Sequence, residues 1–444
     1  MPHRPRGMCQ GLCALRVGLI LSALFSVTFG TSASYGQQGP QSGPKREPRP
    51  LDRLEAVWPD QPEWVAMLVD ILSGSQLGPG DGWFRKAVAQ TRYNWKSVAA
   101  ELDRDGDNSI SRQEFGGSDK DFARLDRDRD ASLTPADFDF SAHALTPSLG
   151  MMTFYKTDRD GNGKVTRAEF DGLFRAMGGD ETGYLSLSDF QQAFVFPPRR
   201  PSGGSAGGPS VSSGPTPSTL VKGLFRQEIG SLQPGPALNE SAPDFTLKTV
   251  DGSSEKTLSK EVGPKPVVLV FGNFTCGPFR SQAGNVEKVF KRYKDRATFL
   301  MVYVREAHPT DGWHMESNDR VGVALRQPTS YDERVSVAQT CSKALGLGMP
   351  MLVDTIDDEV GARYSGMPSR LYVIDGQGKV AYKSGRGPFG FKPDEMEQAL
   401  IFAIRKDEAN AEAKAGEAKK PDIPAAENGG VADSPPKEQG SRPR

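Results

Sequence analysis

Pro266-Val-Val-Leu-Val-Phe-Gly-Asn-Phe-Thr-Cys276-Gly-Pro-Phe-Arg280 is the stretch whose reading decides the fold. Residues 267–271 are an unbroken apolar run rich in valine, the composition of a strand buried on both faces of a parallel sheet. Gly272 and Asn273 break the run. After Pro278 a helical spacing sets in, with Val286, Val289 and Phe290 on one side and Glu287, Lys288, Lys291 and Arg292 on the other. Cys276 therefore lies where a strand turns into a helix. The free amides and the dipole of a helix N-terminus favour a negative charge, so the position predicts a reactive thiol rather than a small buried hydrophobe.

The pattern continues toward the C-terminus. Ala242–Leu247 with Asp251-Gly252 reads as a strand and turn, and 297–304 as a second apolar strand. A helix through Val335 and Leu345, strand 349–353, the segment Met367-Pro368-Ser369-Arg370, strand 379–383 and a closing helix 393–405 complete the order. It predicts an α/β, thioredoxin-like domain over residues 223–405. A right-handed crossover makes strands 267–271 and 297–304 parallel, so both end on the edge where open α/β sheets bind ligands. That edge receives Glu306, His308 and Trp313 beside the thiol. His308 is then a candidate proton shuttle, and Glu306 a residue that orients it or carries charge. Cys341 is either a core residue or a thiol that resolves oxidised Cys276.

Upstream, residues 196–222 are read as a linker; 197–219 alone hold six Pro, five Gly and six Ser. As a flexible chain it spans about 25–30 Å, which makes loose tethering the default and does not imply a direct calcium signal between its neighbours. Before it, residues 51–195 are read as an all-α calcium-binding domain, making the fold class multidomain. Asp103, Asp105, Asp107, Ser109 (through its carbonyl), Ser111 and Glu114 stand at positions 1, 3, 5, 7, 9 and 12 of a twelve-residue loop. Asp158, Asp160, Asn162, Lys164 (through its carbonyl), Thr166 and Glu169 repeat the pattern. Short carboxylates at this spacing converge on a hard cation, and the last Glu can bind through both oxygens: the EF-hand calcium loop. Asn108 holds position 6 of the first loop, where Gly is usual, and Asn can enter the left-handed region. A weaker copy keeps Asp126, Asp128, Asp130, Ser132 and Asp137, and a fourth over 178–189 has lost its first carboxylate. Such loops fold in pairs, so each good one is expected to lean on a weak one. Residues 101–140 carry 12 acidic against 6 basic side chains, an excess that a cation relieves.

Arg4, Arg6 and Arg16, an apolar stretch Val17–Phe29 and small residues after it have the layout of a secretory signal over residues 1–36. The protein is expected to be secreted or periplasmic, with no membrane span in the mature chain. Residues 37–50 and 406–444 are read as disordered. A net charge of −1 over 444 residues makes no electrostatic case for nucleic acid. Removal of the signal takes Cys9 and Cys13 with it, leaving Cys276 and Cys341, too few for a disulfide scaffold.

Phe271-Gly-Asn-Phe-Thr-Cys276, Glu306-Ala-His308, Asp311-Gly-Trp313, Val353-Asp-Thr355, Pro368-Ser-Arg370-Leu-Tyr372 and Gly387-Pro-Phe389 together resemble the iodothyronine deiodinases, from about residue 240 to 402. The resemblance implies a thioredoxin-like fold with a cis-proline at 368 packed beside the catalytic residue. It also implies that Cys276, in place of selenocysteine, attacks a halogen, with Thr275 and Trp313 in supporting places. Glu306 and His308 would flank a phenol, and Arg370 would hold an acidic group or the thiolate. An external thiol reductant or a thiol-redox partner protein would restore the sulfur. Phe274 stands where the family has a cysteine, Gln327-Pro328-Thr329 where it has a second histidine, and Phe279 where thioredoxins have the second cysteine of their motif.

Three readings thus compete. They are a deiodinase-like reductase of halogenated phenols, a peroxiredoxin-like thiol peroxidase acting on peroxide, and a non-enzymatic calcium-dependent binding protein. Peroxidases of that kind carry Thr three residues before the Cys; here the position is Asn273.

Overall fold

A computed structural model of the protein describes residues 49–59, 61–75, 89–140, 148–194 and 215–418. The signal segment, most of 37–50, most of the linker and residues 419–444 lie outside them.

The strands are β1 (Gln90–Thr91), β2 (Thr246–Thr249), β3 (Glu255–Thr257), β4 (Val267–Gly272), β5 (Thr298–Tyr303), β6 (Met351–Val353), β7 (Arg370–Ile374) and β8 (Val380–Lys383). They form one sheet in the order β1-β8-β7-β4-β5-β6-β2-β3. The apolar run quoted above is β4, central and buried at all six residues. It pairs in parallel with β5, Val267 opposite Thr298 and Gly272 opposite Tyr303, as the crossover argument requires. β7 and β8 follow antiparallel, so β7 begins at the edge where β4 and β5 end. This is a thioredoxin-like α/β sheet.

Alternation along β4 divides the core. Val268 and Val270 face the helices Gly277–Tyr293 and Pro393–Ala418, whereas Leu269 and Phe271 meet Tyr364 and Tyr372 on the other side.

The expectation of a separate all-α domain is corrected by β1. Gln90 and Thr91 pair with Lys383 and Tyr382, so the upstream region supplies an edge strand to the same sheet. Its first pair of loops packs on the closing helix: Tyr93 and Phe402 stack at 5.6 Å, and Arg124 and Arg405 pair with Glu397 and Glu101. Ile110 and Leu133 exchange backbone hydrogen bonds of 2.9 and 3.0 Å, joining loop 103–114 to its weaker partner 126–137. Ile110, Phe115 and Leu133 are wholly buried, each worth about 1.5–3 kcal/mol of apolar burial. Apolar character at a loop or helix position marks such residues as inward-facing without saying against what, which is why the shared core was not legible in the sequence.

Two boundaries also shift. The linker ends early: Thr216 caps and Pro217 opens a helix, Pro217–Phe225, whose Phe225 lies against Trp64 at 6.3 Å. The closing helix runs past Arg405 to Ala418, so 406–418 are ordered. Asp407 accepts from the Gly376 amide, and Glu408 pairs with Arg296.

Candidate functional site

Cys276 is the N-cap of the helix Gly277–Tyr293, with Pro278 in the first turn. The Met367–Pro368 bond is cis, as the resemblance implies. Asn273, wholly buried, joins the two: its Nδ2 donates to the Pro368 carbonyl at 3.0 Å, and its Oδ1 accepts from the Cys276 amide at 3.0 Å. The same oxygen accepts from Ala307 N at 3.1 Å, tying in the segment that follows β5.

That segment does bring Glu306 and His308 to the thiol-bearing loop. Glu306, 2 % exposed, accepts from the amide and hydroxyl of Thr275 at 2.8 and 2.7 Å and from the Tyr303 hydroxyl. Burial pushes its carboxyl up, opposed by the Tyr303 and Thr275 donors. Glu306 therefore positions the residue before Cys276. The side chain it was expected to orient, His308, bonds elsewhere: its Nδ1 lies 3.0 Å from the Trp313 carbonyl, and its ring meets the indole edge-on at 4.6 Å. A carbonyl only accepts, so Nδ1 carries the proton and Nε2 the lone pair. Burial lowers His308 to about 4, leaving a neutral imidazole at physiological pH. The His308 amide donates to Thr275 Oγ1 at 3.0 Å, which places Thr275 between both residues.

The thiol differs from the expectation. Cys276 is 1 % exposed, and burial raises it to about 11, outweighing the helix amide of Phe279, the Arg280 charge and the Ser369 hydroxyl. Helix-end electrostatics were legible in the sequence; the loss of solvent around the sulfur was not. Cys341, on the helix Tyr331–Leu345, is free, like Cys276, and wholly buried in the same core.

Arg370 is directed away from the thiol. Its neighbour Leu371 joins the core on the side of the helix Gly277–Tyr293, while Tyr372 joins the opposite one. The Arg370 guanidinium donates to Glu63 at 3.0 Å, and Arg386 donates to the same carboxylate at 2.8 Å. Burial would raise Glu63, but Arg370 and Arg386 overcome it and hold the carboxyl at about 2. No local pattern announces this pair, because the partners are some 300 residues apart.

In place of Arg370, the charge beside Cys276 belongs to Arg280, to which the sequence reading gave no role. It is 4 % exposed, donates to the Phe274 carbonyl and reaches Asn318 Oδ1 at 2.8 Å. Asn318 in turn donates to the Thr275 carbonyl at 2.9 Å. Asn273 and Tyr303 were missed as well. Their roles rest on which side chains the loop turns inward.

The loops of the calcium pattern assemble. Carboxylate oxygens of Asp103, Asp105 and Glu114 lie within 4.8 Å of one another, as do those of Asp158, Asp160 and Glu169, and those of Asp126, Asp128 and Asp137. Asn108 takes the left-handed conformation (φ 65°), as does Gly163 (φ 77°). Glu114, Asp137 and Glu169 also close capping boxes with Ser111, Thr134 and Thr166, so each loop's last carboxylate fastens the next helix. Converging hard oxygens around a left-handed turn fit a calcium ion.

A cysteine at the N-cap of a helix, opposite a cis-proline at the edge of this sheet, defines the thioredoxin-like class of thiol proteins. Within it, residues 222–401 match the iodothyronine deiodinase family. The chain is 30 % identical over 159 residues to the type I iodothyronine deiodinase of Xenopus laevis, covering 36 % of this chain and 61 % of that protein. It is 34 % identical over 156 residues to the thyroxine 5-deiodinase of Gallus gallus, covering 35 % and 58 %. The chain thus spans about half to three-fifths of the curated relatives it matches. Among solved structures, it is similar to the thioredoxin domain of a thiol-disulfide oxidoreductase from Bacteroides vulgatus, at 18 % identity and a TM-score of 0.26. That match covers 38 % of this chain and 96 % of that one.

Proposed function

We propose that residues 222–401 work as a deiodinase-like thiol oxidoreductase, with Cys276 as nucleophile and a small halogenated phenol as substrate. The observation that carries this reading is the bonding of Glu306 and His308 to Thr275, next to the thiol, inside a region similar to proteins named as deiodinases. Access to the buried sulfur comes through local opening of the loop. The sulfur attacks the halogen, so a sulfur–iodine bond forms while the carbon–iodine bond breaks, and the electron pair stays on the aryl carbon. The thiol proton ends on that carbon, carried by His308 Nε2. One thiol then displaces iodide, giving a mixed disulfide and hydrogen iodide; a second regenerates Cys276. The balance is one iodophenol and two thiols converted to a phenol, a disulfide and hydrogen iodide. Cys341 is the internal candidate for the first thiol, and a small thiol or a redox partner protein the external one.

Iodide release from iodinated phenols in the presence of a dithiol tests this, with Cys276→Ser as control. Release that disappears in the variant supports the reading. No release, together with peroxide oxidation of Cys276 far faster than that of free cysteine, replaces it with a thiol peroxidase. Absence of both reactions leaves a binding protein.

The loops 103–114 and 158–169 are read as calcium sites, and 126–137 as a weaker third, on the strength of their converging carboxylates. The ion would offset the repulsion among those carboxylates and stabilise the native form by binding it. Calorimetric titration with calcium tests this: Glu114→Gln and Glu169→Gln should each remove one strong site. Export rests on residues 1–36 alone, and sequencing the N-terminus of material recovered outside the cytoplasm tests it.

A further inference from the structure

The loop 158–169 does not hang from a tether. At its sharp turn, Gly163 lies so close to the nucleophile helix that a Cβ there would stand 2.0 Å from the Arg280 carbonyl oxygen. One turn along the helix, a Cβ on Gly284 would stand 2.3 Å from the Gly163 carbonyl oxygen. Two glycines thus let two backbones touch, an approach that any side chain at either position would prevent. Next to Gly163, the Lys164 ammonium donates to the carbonyls of Leu345 and Gly346 at 2.6 and 3.0 Å, at the C-terminal end of the helix that carries Cys341. A cation at that end is favoured by the free carbonyls and the helix dipole. On its other side the loop meets Val321, 2.9 Å from a Cβ placed on Gly161, three residues after Asn318.

Of these contacts, one falls on Arg280 and another three residues from Asn318, and it is Arg280 and Asn318 that hold the thiol-bearing loop. Arg280 bonds the Phe274 carbonyl, and Asn318 bonds both Arg280 and the Thr275 carbonyl. The path from the calcium pattern to the sulfur is therefore short: Gly163, the Arg280 backbone, the Arg280 guanidinium, Phe274-Thr275, Cys276. The loop 103–114 makes no such contact among the described residues; its region packs on the closing helix instead. We propose that Arg280 is a positioning residue for the Cys276 thiol, and that calcium in the 158–169 loop holds it there, keeping the sulfur covered. The proposal rests on the calcium reading above. Without the ion, Asp158, Asp160 and Glu169 repel one another, the turn at Gly163 loosens, and the helix start it presses on is released.

The test uses the full chain. Alkylation of Cys276 by iodoacetamide at fixed pH is followed by mass spectrometry, with calcium or with a chelator, while calorimetry reports calcium uptake. Chelation should speed alkylation by about tenfold or more in the wild type, as expected when a local opening exposes a buried group. Glu114→Gln should keep that response despite losing a calcium ion. Glu169→Gln should alkylate fast with or without calcium. Arg280→Met should lose the calcium response while still taking up the ion, and Arg280→Lys should restore part of it. Should Arg280→Met fail to fold, the two glutamate variants decide alone. Calcium taken up by the 158–169 loop with no change in alkylation overturns this proposal and leaves the calcium reading standing. A loop that takes up no calcium removes both.

Discussion

The covered thiol makes a quantitative prediction. Burial holds Cys276 at about 11, against about 8.5 for a free cysteine. At pH 8 about one molecule in a thousand then carries a thiolate, compared with about one in four for free cysteine. Iodoacetamide reacts with the thiolate, so Cys276 in the folded protein, assayed with calcium present, should be alkylated about two hundredfold more slowly than free cysteine at that pH. The difference corresponds to about 3 kcal/mol. Because the ionised form is the disfavoured one, the rate should climb about tenfold per pH unit from 7 to 10 without a plateau. The assay is labelling of the Cys276 peptide over time across this range, with Cys276→Ser to identify the peptide. A rate within tenfold of free cysteine at pH 8, or a plateau below pH 9, would mean that the helix amides and Arg280 outweigh burial. The argument from burial would then be refuted.

Glu63 is the counter-charge of two buried arginines, and Glu63→Gln should destabilise the fold. The shift from 4.5 to about 2 sets an upper limit of about 3 kcal/mol, reduced by the partial exposure of the carboxylate to about 1–2 kcal/mol. Since the folded-state value is depressed, this stability is present above pH 4.5 and lost as pH falls toward 2; urea midpoints equal to wild type at pH 7 would contradict it. Lys383 is held at about 7 by burial and the neighbouring Arg370, so the unfolded chain binds more protons between pH 7 and about 10.4. Stability from this group should rise with pH through that window, and Lys383→Met should flatten the rise in urea midpoints; a wild-type midpoint independent of pH there counts against it. Gly163→Ala must adopt a positive φ and push on the Arg280 carbonyl, at a cost of about 1–3 kcal/mol read by thermal unfolding. An unchanged Tm would mean that the loop is not docked on the helix Gly277–Tyr293.

Much of this protein is written locally. The valine run, the break at Gly272-Asn273 and the helical spacing beyond Pro278 define a buried parallel strand entering a helix, because period and chain polarity alone determine that arrangement. The twelve-residue spacing likewise brings Asp103, Asp105 and Glu114, and Asp158, Asp160 and Glu169, to common points, since carboxylates and turn lie in one short loop. Glu306 and His308 could be sent to the thiol's edge by handedness, though not to their bonding partners there. What the tertiary structure decided are matters of distance across the chain. Glu63 claims Arg370, Gln90 and Thr91 extend a sheet whose other strands begin about 150 residues later, and Gly163 rests on the start of the helix that Cys276 caps. Burial of Cys276 belongs to the same group, for desolvation is a property of everything packed around the sulfur, and no stretch of sequence contains that surrounding.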